Sequence, residues 1–314
     1  MILTNENIRS YVRQYLKESG KFDVKIEDWD VSKVTDMSDL FKGYKKFNKK
    51  LKWDVSNVTN MICMFQGCKT FNQPLEWDVS KVKDTTCMFM GCDEFNQPLK
   101  WNVSKVTGMA FMFDGCKKFD QPLNWDVSKV ENMDHMFWKC GEFNQTLKWN
   151  VSNVTSMMGM FRGCKKFNKP LEWNIKAIDT RFMLYECEEF NQPLKWNVST
   201  VKHMDHMFEE CKKFNQDLTH WKPPIETYIN MFKNCNLPIE KYPSFVMLKK
   251  CRPGTRKNKS GKCESIRDAL DEQLKKCLDK QSKLTPRNKK LNATRKQCEK
   301  IKDKIDRLNY STLV

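Results

Sequence analysis

Tryptophan recurs at Trp29, Trp53, Trp77, Trp101, Trp125, Trp149, Trp173, Trp196 and Trp221, at first every 24 residues and later with a slip of one. A fixed period of this length marks a repeat architecture, in which each copy is one small unit and the fold is their stack. The copy from Trp53 to Glu76 carries Trp53-Asp54-Val55-Ser56, Val58-Thr59, Met61, Met64-Phe65, Gly67-Cys68 and Phe71-Asn72-Gln73-Pro74-Leu75, and most copies keep that skeleton. Within a copy the apolar period changes. Leu75, Trp77 and Val79 alternate with Glu76 and Asp78, the period of a strand with one buried face. Val58, Met61, Met64, Phe65 and Cys68 then recur at intervals of three and four, which predicts a short helix with Thr59 as its N-cap and Gly67 as a left-handed C-terminal residue. One strand and two helical turns cannot bury an apolar face alone, so the copies are expected to stack as a solenoid with parallel strands. At about 4.8 Å per parallel strand, nine copies would extend on the order of 40 Å.

The 24-residue signature resembles the BspA-like leucine-rich repeat, from Trp29 to about Pro238. That resemblance implies an α/β, leucine-rich-repeat-like fold with parallel strands and short helices, protein binding and no catalysis. Proteins similar to it occur on bacterial surfaces, in protozoa and in large DNA viruses. Copy seven departs from the pattern, with Lys176 for the Ser, a deletion near Thr180 and Met183-Leu184-Tyr185-Glu186-Cys187 for the Met-Phe segment. A local irregularity, rather than a site, is expected there.

A stack of this kind exposes core and strand edge at both ends unless they are covered. Residues 4–19 read as an amphipathic helix with Ile8, Val12 and Leu16 on one face and Gly20 as its stop, so 1–28 is taken as an N-terminal cap and lead-in. The ninth copy, with Pro223-Pro224 and Asn236-Leu237-Pro238, reads as a degenerate C-terminal cap that closes the repeats at 29–238.

Each repeated position becomes a column, and columns are where chemistry would show. Cys68, Cys92, Cys116, Cys140, Cys164, Cys187, Cys211 and Cys235 form one. Side chains about 4.8 Å apart are too widely spaced for a disulfide, whose Cβ atoms lie about 3.8 Å apart, so these read as buried thiols filling the core. Cys63 and Cys87 add a second, short column, and with Cys68 and Cys92 they are the one thiol set with zinc-like chemistry. Against a metal, the same position holds Asp39, His135, Gly159 and His206 elsewhere, a mixture expected of a partly exposed site facing away from the core column, and His203-x-x-His206 lacks a third ligand. Asn48, Asn72, Asn96, Asn144, Asn168, Asn191 and Asn215, with Asp120 among them, are expected to satisfy backbone groups of a turn. Neither a catalytic triad nor a Gly-rich phosphate loop is present in the sequence, so no catalytic residue and no cofactor is assigned.

The chain carries a net charge of +17, but residues 249–314 hold 21 Lys+Arg against 8 Asp+Glu, which leaves only +4 for the rest. Within the repeats the charges alternate from copy to copy: Asp93-Glu94, Lys117-Lys118, Glu142, Lys165-Lys166, Glu188-Glu189, Lys212-Lys213. Opposite signs on neighbouring rungs attract and fix the register. The residues before each Trp (Lys52, Glu76, Lys100, Asn124, Lys148, Glu172, Lys195) partly do the same.

After Pro238 the chain is divided into 239–263, a linker with Cys251 and Cys263 framing a basic Pro/Gly/Ser segment, and 264–314, two helical stretches either side of Thr285-Pro286. The first resembles the viral two-cysteine adaptor, which with the repeat type points to a large DNA virus; Cys251 and Cys263 are read either as a disulfide or as two thiols. In the second, a fold-back near Arg287-Asn288 brings Leu274 to Ile301, Leu270 to Ile305 and Cys277 to Cys298, close enough for a disulfide. An antiparallel helical hairpin is therefore predicted. Its outer faces carry Lys275, Lys276, Lys280, Lys283, Lys289, Lys290, Arg295, Lys296 and Lys300, suited to docking an acidic surface or nucleic-acid phosphates. The tail has little aromatic surface for base stacking.

These features together predict a non-enzymatic interaction or structural protein, virion-associated or in the host cytoplasm, whose repeats bind other proteins. The alternative is a nucleic-acid-associated protein acting through its tail. No apolar run reaches the roughly 18 residues of a membrane span, and after Met1-Ile2-Leu3 the sequence turns polar, so neither a membrane span nor a signal peptide is expected.

Overall fold

The structure, a computed structural model, describes residues 2–17, 24–248, 255–257, 263–282, 294 and 296–302. The chain divides into two compact units, Met1–Met247 and Leu248–Val314. Residues 239–247, assigned to a linker from the sequence, thus fall within the repeat unit.

Nine copies stack in the first unit, joined by one parallel bridge per interval from Asp36↔Asn60 to His203↔Thr227. The bridges fall in the Asn60 column, inside the segment expected to be helical, and no repeat helix forms there. Met61, Cys63, Phe65 and Gly67 donate their backbone N–H groups to Asp84, Thr86, Met88 and Met90 of the next copy at 2.6–3.1 Å, while Met64, Gln66 and Cys68 bond three residues back at 2.9–3.2 Å. The backbone therefore alternates between ladder bonds and tight turns. Left-handed residues at Cys63 (φ 55°) and Gly67 (φ 75°) make this path incompatible with an α-helix, because successive turns place φ > 0 every fourth residue. Gly67 is left-handed as expected, but as a turn residue and not as a helix cap. Leu75, Trp77 and Val79 are buried and Glu76 and Asp78 exposed, so the period of two holds as an extended segment, without the bridges expected along it. The α/β reading is corrected accordingly: the repeats are turns and extended chain.

The core is a set of stacked columns. From Trp77 to Trp173 successive indoles lie 6.4–6.5 Å apart with planes within 5°. Each of these indoles donates Nε1–H to the carbonyl of a Leu 26 residues earlier, just before the preceding Trp, at 3.0–3.2 Å. Phe65 stacks on Phe71 at 4.2 Å and on Phe89 at 5.6 Å. Indole N–H groups buried without partners would cost about 1–3 kcal/mol each, and the ladder supplies a partner at every rung. In copies one, two, three and five two Asx turns, such as Asp54 Oδ1 accepting from Ser56 N at 3.0 Å and Asn60 Oδ1 from Ile62 N at 3.0 Å, fix the corners. Copy seven keeps both its bridges, Ser156↔Asp179 and Asp179↔His203, so the deletion is absorbed without breaking the ladder.

At the N-terminal end β1 (Ile2–Thr4) pairs in parallel with β2 (Asp30–Lys33), and α1 (Ile8–Lys17) buries Ile8 and Val12. Tyr15 meets Trp29 edge-on at 5.4 Å, capping the indole column. At the other end a turn at Ile239–Lys241 and α2 (Ser244–Leu248) follow the last copy. Tyr242 covers Phe232 at 4.5 Å, and Lys241 Nζ donates to Asn215 O and Oδ1 at 3.0 and 2.9 Å, ending the asparagine column.

The second unit contains β3 (Thr255–Lys257) antiparallel to β4 (Cys263–Ser265), followed by α3 (Ile266–Ser282). Residues 294 and 296–302 are helical, and Cys277 and Cys298 form a disulfide with Cα atoms 5.7 Å apart. Leu270, Cys277, Thr294 and Cys298 are buried. Among the described residues no helix is long and apolar enough to cross a membrane.

Candidate interaction face

In the copy from Trp53 to Glu76 nine positions are buried, and these positions, which recur as Trp, Val, Met, Phe, Cys and Leu, build the stack. The Asp39 and Lys42 columns behave differently. The first reads Asp39, Cys63, Cys87, Phe111, His135, Gly159, Phe182, His206 and Asn230; the second reads Lys42, Gln66, Met90, Asp114, Trp138, Arg162, Tyr185, Glu209 and Lys233. Every residue of the first column has a left-handed backbone, φ 50–61°. The second column follows it one turn later. Together they give one face of the stack a composition that changes from copy to copy, as a recognition surface requires.

Copies five to eight of this face carry an aromatic and cationic cluster. The Arg162 guanidinium lies 5.1 Å from the Trp138 ring centroid, 5.1 Å from Phe182 and 4.8 Å from Tyr185. Lys139, which replaces the turn glycine, sets its ammonium 4.7 Å over Trp138. His135 stacks on Phe111 at 4.8 Å and meets Trp138 at 5.0 Å, and Phe182 stacks on His206 at 4.6 Å. Burial holds His135 below the ordinary histidine pKa, and its Nδ1 has no hydrogen-bond partner. Arg162 has no carboxylate partner among the described residues, whereas Glu209, nearby in the same column, is held by His206 and by Lys233 at 2.8 Å. The face thus presents flat aromatic area with guanidinium donors left for a partner.

Sequence reasoning passed over Trp138, Arg162, Phe182 and Tyr185, and copy seven, expected to be only irregular, supplies two of them. The signal was an aromatic outside the 24-residue register at a position that is polar or small in other copies.

Cys63 and Cys87 are half-buried on this face, while Cys68 and Cys92 point the other way and are wholly buried. The thiols from Cys68 to Cys211 donate to a carbonyl of the preceding copy, Cys68 to Phe41 O at 3.0 Å and Cys92 to Phe65 O at 3.1 Å. Burial pushes Cys68 up to about 12 and Cys116 and Cys140 well above the thiol range. The four thiols therefore do not converge, and among the described residues no group of three or more His, Cys, Asp or Glu is placed to hold a metal ion. His203 turns to Thr227 Oγ1 at 3.1 Å and His206 to Glu209.

The alternating charges pair across rungs: Lys117 with Asp93 at 2.9 Å, Lys118 with Glu94 at 2.5 Å, and Glu188 with both Lys165 at 3.0 Å and Lys212 at 2.8 Å. In the column before each Trp only Lys52 forms an ion pair within 4.0 Å among the described residues, with Glu27 and Asp28. Asn72 N donates to Asn48 Oδ1 at 3.0 Å and Gln73 Nε2 to the same oxygen at 2.9 Å, and the pattern recurs up the stack.

In the second unit Lys275, Lys276, Lys280, Lys296 and Lys300 are exposed. Lys283, Lys289, Lys290, Arg295 and Cys251 lie outside the described residues, and Cys263 opens β4 opposite Lys257.

Comparison with known families gives matches over residues 10–124, 99–194, 123–221 and 171–243, overlapping as tandem copies do. No curated protein and no solved structure matches. Tandem matches across three quarters of the chain agree with the BspA-like repeat reading, and the chain belongs to the family described as Mycoplasma protein of unknown function, DUF285.

Proposed function

We propose that the chain is a non-enzymatic, protein-binding solenoid that recognises its partner through the face built on Trp138, Arg162, Phe182 and Tyr185. The observation that carries this reading is Arg162, held among three aromatic rings at 4.8–5.1 Å with no carboxylate partner among the described residues. Trp, Tyr and Arg dominate the residues that bind most strongly at protein interfaces, and a rigid stack presents them with little ordering cost. A partner segment with an acidic side chain beside an apolar one fits both halves of the cluster. Binding to an isolated partner by the wild type, lost on Arg162→Glu and weakened at least tenfold by Trp138→Ala, is the expected result. Unchanged binding by both variants would remove this face from the function.

The biological setting proposed is a minor structural component of a large DNA virus, in the virion or the host cytoplasm. It draws on the resemblance of the repeat and of the Cys251–Cys263 segment to viral proteins. Stoichiometric recovery from purified particles supports it, and absence from particles ends it. A second reading, phosphate contact through the tail, draws on the exposed Lys275, Lys276, Lys280, Lys296 and Lys300. Duplex DNA binding that falls steeply with salt and is lost when these lysines are changed to glutamine distinguishes it.

A further inference from the structure

The geometry points to a binding site for a soft monovalent cation of the copper(I) class between Cys63 and Cys87, with Met90 beside it. The two cysteines hold the same position in adjacent copies and share a left-handed backbone, φ 55° and 57°. Their rungs are locked together by Cys63 N donating to Thr86 O at 2.9 Å and Cys87 N to Ala110 O at 2.9 Å. Identical backbone on neighbouring rungs makes the Cα–Cβ bonds parallel, at the ladder repeat of about 4.8 Å. That spacing is wide for a disulfide, with its Cβ separation of about 3.8 Å, and both residues are free thiols whose side chains interact. Two metal–sulfur bonds of about 2.3 Å placed in line span about 4.6 Å, close to the ladder repeat. A linear, two-thiolate ion therefore fits where a disulfide does not.

The surroundings select a soft ion over zinc. Zinc needs four ligands in a tetrahedron, and Cys68 and Cys92, the only further thiols in these copies, face the core and donate to Phe carbonyls. Asp39 and Asp114 interact with the two thiols through charge, but among the described residues no group of three or more His, Cys, Asp or Glu is placed to hold a metal ion, and the further soft donor on this face is a thioether. Gln66, three residues after Cys63, donates Nε2–H to Met90 Sδ at 3.3 Å, so the Met90 sulfur reaches back to the Cys63 copy one turn along from the two thiols. The amide's other end, Oε1, is buried without a hydrogen-bond partner. Thiolate and thioether together favour copper(I). Both cysteines are only half-buried, which leaves a path for the ion.

Binding exchanges two S–H protons for two sulfur–metal bonds, so a +1 ion gives a complex of charge −1 and releases two protons, with no electron transferred. The Lys42 ammonium, close enough to Cys63 to interact with it, offsets that charge.

The test titrates full-length protein with copper(I) against a competing copper(I) chelator and compares wild type with Cys63→Ser, Cys87→Ser, the double variant and Met90→Leu. The expected result is one equivalent fewer in the double variant, an affinity loss of tenfold or more in each single variant, and a smaller loss for Met90→Leu. Equal stoichiometry and affinity in wild type and double variant would overturn the site. A second measurement needs no variant: copper(I) should protect Cys63 and Cys87 together from alkylation in the wild type, read by mass spectrometry. Alkylation of either thiol at an undiminished rate under saturating copper(I) would overturn it as well.

Discussion

The side-chain carbonyl of Asn5 accepts the backbone N–H of Thr35 at 2.9 Å, a bond that in every later copy goes to a backbone carbonyl of the copy before, as Thr59 N does to Thr35 O at 2.8 Å. The same oxygen takes Asp36 N at 3.1 Å, and Asn5 Nδ2 donates to Thr35 Oγ1 at 2.8 Å. Asn5 thus stands in for a copy that is not there, as an N-cap residue stands in for a missing helical turn. Asn5→Ala should lower stability by about 1 kcal/mol and speed hydrogen exchange at Thr35 and Asp36 before any central rung. Asn5→Asp, which keeps the acceptor, should retain slow exchange at both amides.

Much of this was legible in the sequence because columns repeat. The Trp and Cys spacing gave the stack, and the sign alternation at Asp93-Glu94 and Lys117-Lys118 gave pairs that the structure holds at 2.5–2.9 Å. The helix misreading has a definite cause. Turn corners at Met61, Met64, Phe65 and Cys68 put apolar residues inward at intervals of three and four, the spacing that a helix face would show. What distinguishes the two is the left-handed column, and Cys63 or His135 at such positions carries no glycine to announce it. The proposed face was hidden for the opposite reason: Trp138 and Arg162 depart from the repeat, so a reading built on recurrence passes over them.

Gly159 is the one glycine of its column, and His135 explains it. A Cβ built there would lie 2.4 Å from His135 Nδ1 and 2.5 Å from Cε1, at φ +61°. Gly159→Ala should therefore cost overpacking of about 1–3 kcal/mol on top of left-handed strain of about 1 kcal/mol. With His135→Ala in the background the overpacking disappears and only the strain should remain. Thermal or denaturant unfolding of the four proteins in a double-mutant cycle measures this. A coupling near zero would mean that the imidazole does not lie over Gly159 in solution.

Asp114 brings a buried carboxyl to the same face, and burial raises its pKa from 3.8 to about 6, with Lys139 opposing the shift. Between these values the folded state holds a proton that the unfolded state has released. Stability from this group therefore falls as pH rises from about 4 to about 6 and stays lower above that range. The loss is on the order of 2 kcal/mol. Asp114→Asn should be more stable than wild type at pH 7 to 8, and the difference should shrink towards pH 4, as read by denaturant midpoints across that range. A variant that is less stable than wild type at neutral pH would show that the carboxylate is better solvated than its burial implies.

The disulfide between Cys277 and Cys298 closes a loop with a sequence separation of 21, in a unit where Leu270 and Thr294 are the other buried side chains among the described residues. Closing a loop of that size removes about 3 kcal/mol of unfolded-state entropy, a large share of what a unit of this size is stabilised by. Reduction, or Cys298→Ser, should therefore melt α3 (Ile266–Ser282) well below the temperature at which the intact unit melts. The two units can be followed separately in one sample. All ten tryptophans lie at or before Trp221, so their near-ultraviolet signal reports the stacked repeats, while α3 is the longest α-helix among the described residues and dominates the helical far-ultraviolet signal. The expected outcome is a loss of helical signal on reduction at a temperature where the tryptophan signal does not change. Helical signal that survives reduction unaltered would mean that apolar contacts such as those of the buried Leu270 hold α3 without the covalent link.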